Sequence, residues 1–162
     1  MGAHLPRGLT KLNLDFGACA VGNEGWVAVA QHLPRALKDI RLVLFASLIS
    51  DDGMHVLARS LPSSLTILRL DVCACDFIGD DWIRALAQHL PAMLTVFELD
   101  ASACDLGPLC AQDLAEHLPA GLIELSLNQH EVALPLPEEL EPRCEALWRR
   151  LRVDNVNNIV GV

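Results

Sequence analysis

The tripeptide His-Leu-Pro recurs at His4, His32, His89 and His117, and Ser60-Leu61-Pro62 fills the one gap, so a unit returns every 28 or 29 residues. A fixed period of this length marks one supersecondary unit copied head to tail. Each copy is too short to bury its own apolar face, so the copies must stack and share a core. The hydrophobic content of 52% supplies that core.

After each His-Leu-Pro the same short pattern follows: Leu9-x-x-Leu12-x-Leu14, Leu37-x-x-Ile40-x-Leu42, Leu65-x-x-Leu68-x-Leu70, Leu94-x-x-Phe97-x-Leu99 and Leu122-x-x-Leu125-x-Leu127. Its second and third apolar positions alternate with others, which is the period of a strand buried on one face. A turn comes next, and then apolar residues at helical spacing: Trp26, Val29, Ala30 and Leu33 in one copy, Ile83, Leu86, Ala87 and Leu90 in another. Gly22, Ser50, Gly79 and Gly107 take the N-cap positions, and Asn23, Asp51, Asp80 and Pro108 open the helices, where acidic residues suit the positive end of the helix dipole. Pro6, Pro34, Pro62, Pro91 and Pro119 stop each helix.

A strand and a helix in every 28 or 29 residues, with Leu-x-x-Leu-x-Leu in each strand, resembles the leucine-rich repeat family, in its ribonuclease-inhibitor-like class. The resemblance implies an α/β leucine-rich-repeat solenoid, a curved right-handed β-α superhelix with a parallel β-sheet on the concave face and helices on the convex face. It places five repeats in residues 1–134, with residues 135–162 as a C-terminal capping helix and tail of the same domain. That helix would carry Leu140, Cys144, Leu147 and Leu151, with Pro142 in its first turn. The N-terminal end shows no cap, so the strand around Leu12 is expected at an exposed edge or contact surface. One column departs from the family: where Asn or Cys usually ties down the turn, this chain has Gly17, Phe45, Cys73, Ser102 and His130. A differently built turn is therefore expected.

The net charge of −9 argues against binding to nucleic acid, which requires a basic surplus. No run of 18 apolar residues and no signal-peptide pattern occurs, so neither a membrane span nor secretion is expected. Six cysteines without a secretory signal are read as reduced thiols in a cytoplasmic, intracellular protein.

In-register parallel strands would align the exposed positions in three columns about 4.8 Å apart from strand to strand. These are Lys11, Asp39, Ile67, Val96 and Glu124; Asn13, Arg41, Arg69, Glu98 and Ser126; and Asp15, Val43, Asp71, Asp100 and Asn128. The acidic surplus, with Asp71 beside Asp100, is explained either by full solvation or by a protein partner with a basic surface. The candidate binding residues are Lys11, Asp15, Asp39, Arg41, Arg69, Asp71, Glu98, Asp100, Glu124 and Asn128, with Arg69 able to pair with Glu98.

Cys73, Cys75 and Cys104 suggest a metal at first sight, but the column Cys19, Ser47, Cys75, Cys104 and Val132 is the family's buried one, so structural thiols are expected and no metal site. The repeated histidines fall near helix C-termini, where they suit a capping role. No nucleophile elbow, phosphate-binding loop or zinc-protease motif is present, so neither an enzyme nor a cofactor is expected. The leading expectation is a scaffold that binds protein through its concave sheet, by analogy with the family. The alternatives are a structural subunit or fragment of a larger assembly, packing end to end with another chain through uncapped ends, and, more weakly, a small-GTPase regulator.

Overall fold

The computed structural model describes residues 5–128 apart from 105, 108 and 109. Strands and helices alternate strictly: β1 (Lys11–Asp15), α1 (Asn23–Ala30), β2 (Asp39–Val43), α2 (Asp51–Ser60), β3 (Ile67–Asp71), α3 (Asp80–His89), β4 (Val96–Asp100), α4 (Cys110–His117) and β5 (Glu124–Asn128). The five strands form one all-parallel sheet in sequence order, as a β-α solenoid would. Register is unstaggered, so Lys11, Asp39, Ile67, Val96 and Glu124 lie side by side. The 135–162 segment and its helix residues, together with His4, His130, Val132 and the boundary at 134, lie outside the described residues.

Alternation along each strand separates a core face from an open one. In β2, Ile40 and Leu42 are buried while Arg41 between them is exposed. The buried strand residues join Trp26, Met54, Leu57, Trp82 and Leu86 from the helices in a single cluster. Within one strand column, Leu42, Leu70 and Leu99 are buried, whereas Leu14 and Leu127 at the two ends are only partly so.

Helix starts are tied across repeats. Gly22, Ser50 and Gly79 take the N-cap positions, but no cap side chain bonds its own helix. The first helical residue instead reaches forward one repeat: Asn23, Asp51 and Asp80 each accept, through Oδ1, the backbone N–H of Ser50, Gly79 and Gly107 at 3.0, 2.9 and 2.6 Å. Asn23 also donates from Nδ2 to the Ser50 hydroxyl. The acidic residues thus meet the helix dipole and stitch neighbouring repeats together. Helix ends follow the capping expectation, since the Nδ1–H groups of His32, His89 and His117 donate to the carbonyls of Ala28, Ala85 and Asp113.

The turns after β1, β3 and β4 are held by the last residue of each strand. Asp15, Asp71 and Asp100 each accept the backbone N–H two residues on, from Gly17, Cys73 and Ser102. Ala18, Ala46, Ala74 and Ala103 then take left-handed backbone conformations, with φ from 51° to 56°. The N–H groups of Ala18, Ala46 and Ala74 donate to the carbonyls of Phe45, Cys73 and Ser102 in the next repeat. A main-chain ladder therefore continues past the strands.

The thiol column faces the other way. Cys75 Sγ donates to the Leu44 carbonyl and Cys104 Sγ to that of Val72, each in the preceding repeat. Cys75 is buried and Cys104 half-buried, but Cys19 is exposed, which corrects the expectation that the whole column is packed. Cys19 stands first in the column, and no described repeat precedes it to cover it.

Candidate functional site

The open face of the sheet gathers most of the candidate residues into one charged array. Lys11 Nζ lies 2.9 Å from Asp39 Oδ2 on the neighbouring strand. Asp39 is 3.5 Å from Arg69 NH1 on β3, and Arg69 Nε donates to Glu98 Oε1 on β4 at 2.8 Å. The chain Lys11, Asp39, Arg69 and Glu98 runs across four strands and is internally neutral. Arg69 and Glu98 are register partners, whereas Asp39 and Arg69 are joined diagonally between columns.

Beside this chain lies a depression of about 280 Å³ whose polar lining is Arg41, Arg69, Asp71, Glu98, Asp100 and Ser126. Arg41 is exposed, and no ion pair holds it among the described residues. Its register partner is Arg69, whose own charge is balanced by Asp39 and Glu98. Asp71 and Asp100 are register partners at the C-terminal ends of β3 and β4. Each commits Oδ1 to its turn, so these two carboxylates have a structural task as well as a surface position.

Their charge is felt nearby. The Cys73 thiol is pushed above its ordinary value first by burial and then by the fields of Asp100 and Asp71. Cys104 is pushed up to about 11, again by burial foremost, although its bond with the backbone of Cys75 acts in the opposite direction. Both thiols are therefore protonated at neutral pH, in keeping with Cys104's role as a donor. Among the described residues no group of three His, Cys, Asp or Glu could hold a metal ion. No described helix is long and apolar enough to cross a membrane.

The structure brings Arg41, Arg69, Asp71, Glu98 and Asp100 together. Lys11 and Asp15 stand apart on β1, with Asp39 linking Lys11 to the centre, and Glu124 and Asn128 occupy the two ends of β5. Ser126, absent from the candidates, completes the lining opposite Glu98. Outside this array, Phe45, Leu48 and Phe77 are 40%, 55% and 59% exposed on the turns beyond β2 and β3. The Phe45 ring lies over Gly17, where a side chain would collide with it. Comparison of the chain with family models and with curated proteins finds no match, so the functional reading rests on this geometry.

Proposed function

We propose that the chain is a leucine-rich-repeat scaffold of the ribonuclease-inhibitor-like class, without enzymatic activity, that binds a protein through the concave side of its sheet. The observation that carries this reading is the depression between Arg41 and the Asp71 and Asp100 pair. It offers a cation with no described ion-pair partner beside two adjacent carboxylates, on strands whose register is locked by backbone bonds. A rigid array of this kind loses little conformational freedom on binding. The partner it suits presents Lys or Arg to the carboxylates and an acidic group to Arg41. Electrostatic pairing of this sort acts mainly on the association rate and weakens with salt.

The test uses the chain as bait in its native source, then measures association kinetics with the captured protein. Asp71→Asn with Asp100→Asn removes two charges while keeping an oxygen to hold each turn. The double variant should bind more slowly at low ionic strength and differ little from wild type at high ionic strength. Arg41→Ala should also weaken binding, whereas Arg59→Ala on the exposed side of α2 should not. Full binding by the double variant together with loss on Arg59→Ala would move the site to the helices.

A further inference from the structure

The inner edge of β1 is occupied. The Thr10 carbonyl accepts from the N–H groups of Lys38 and Asp39, and the Phe16 N–H donates to Val43. Peptide groups alternate in direction along a strand, so the backbone N–H and C=O of Lys11, Asn13 and Asp15 point the other way. Nothing among the described residues pairs with that outer edge, because β1 stands first in the sheet. The side chains of the same three residues are exposed.

The segment Lys11-Leu12-Asn13-Leu14-Asp15 is self-complementary about its centre. Antiparallel pairing with a second copy, on a two-fold axis through Asn13, sets Lys11 against Asp15 of the other copy, Leu12 against Leu14, and Asn13 against itself. In that register the outward groups of residues 11, 13 and 15 meet as hydrogen-bonded pairs, and each pair exchanges two bonds. Backbone parity and side-chain charge thus select the same alignment. Lys11 keeps spare donors beyond its bond to Asp39, and Asp15 keeps Oδ2 beyond its turn.

The apolar surface at this end points to the same occupant. Leu14, Phe16, Val21 and Val29 are only partly buried, whereas their equivalents one repeat on, Leu42, Leu44, Ile49 and Leu57, are fully buried. Among the described residues no repeat stacks against this end, whereas each later repeat has one before it. In an isologous pairing the two first helices lie side by side and each copy covers the other's end.

We propose that the β1 end is a homodimer interface, in which the β1 strands of two copies pair antiparallel and the sheet continues through both. This surface is distinct from the depression and does not rest on the reading of the open face.

Sedimentation equilibrium of the full chain from micromolar to submillimolar concentration tests it. Wild type should reach a dimer mass. Lys11→Glu and Asp15→Lys each set like charges opposite one another twice, and each should weaken self-association roughly tenfold or more. An equimolar mixture of the two variants should pair, because both contacts then join opposite charges. Asn13→Pro removes an outward N–H without touching a bond to β2, so it should abolish the dimer while leaving thermal unfolding nearly unchanged at concentrations where wild type is monomeric. A wild-type chain that stays monomeric, leaving the edge to some other partner, would overturn the proposal. So would a dimer indifferent to Asn13→Pro, or charge variants that remain apart when mixed.

Discussion

The Cys104 thiol donates a hydrogen bond to the Val72 carbonyl, 3.0 Å away in the preceding repeat. Only the protonated thiol can do this, and burial has raised its pKa from 9.0 to about 11. A raised pKa in the folded state contributes stability that is fully present below the ordinary thiol value and is lost as pH rises through the folded one. Thermal midpoints of wild type should therefore fall more steeply between pH 9.0 and about 11 than those of Cys104→Ser, which retains a donor but has no titration there. Parallel curves for the two proteins would show that burial in the fold does not raise the Cys104 pKa.

Thiol labelling at neutral pH should proceed in a definite order. Among the described thiols, Cys19 is exposed and should react first, Cys73 and Cys104 more slowly because raised pKa values leave little thiolate, and buried Cys75 and Cys110 last. Mass spectrometry of briefly labelled protein reads the order directly. Early labelling of Cys75 would mean that the turn opens readily.

Asp80→Ala should cost about 1.5 to 3 kcal/mol, the usual worth of a hydrogen bond to a charged group, because it leaves the Gly107 N–H without its carboxylate. Gly107→Ala should also destabilise, since a Cβ there would lie 2.5 Å from Asp80 Oδ2. Urea unfolding of the single and double variants checks this. The double variant should lose less than the sum, because the alanine methyl no longer meets the carboxylate.

Ala74→Gly should raise stability by about 0.5 to 1 kcal/mol, because alanine pays a steric cost at φ 53° that glycine does not. Ala74→Val should lower it. Both are read from urea midpoints. A loss of stability with glycine would show that chain entropy outweighs the relief at this turn.

Leu70→Ala should cost roughly 2 to 5 kcal/mol, as for other fully packed leucines, and Leu14→Ala at the open end should cost less in the monomer. Equal costs would mean that the first repeat is covered as thoroughly as the third.

Much of the fold was legible because its signals are local. The spacing from Leu12 to Leu14 is that of a strand and the spacing from Ile83 through Leu86 and Ala87 is that of a helix, and the structure has both, although Leu90 falls just past the end of α3. The recurrence of His-Leu-Pro marked the histidines as cap donors, and three of them bond the carbonyl four residues back. On the open face, the aligned columns anticipated the Arg69 to Glu98 pair. They did not anticipate the diagonal from Arg69 to Asp39, because column alignment shows which residues are level and not where a long side chain bends.

By itself, then, the sequence determined the period, the order of strand and helix, the register and the leucine columns, since each follows from the spacing of residues along one covalent chain. The tertiary structure alone decided what the polar groups do within that frame. Asp15, Asp71 and Asp100 look like surface charges in a column, yet each closes a turn, because its carboxylate swings back to the N–H two residues on. Cys75 and Cys104 look like apolar filling, yet their thiols satisfy carbonyls in the repeat before. Cys19 shares their column and is exposed, because burial depends on the neighbour that stacks against a residue and not on the residue's own identity.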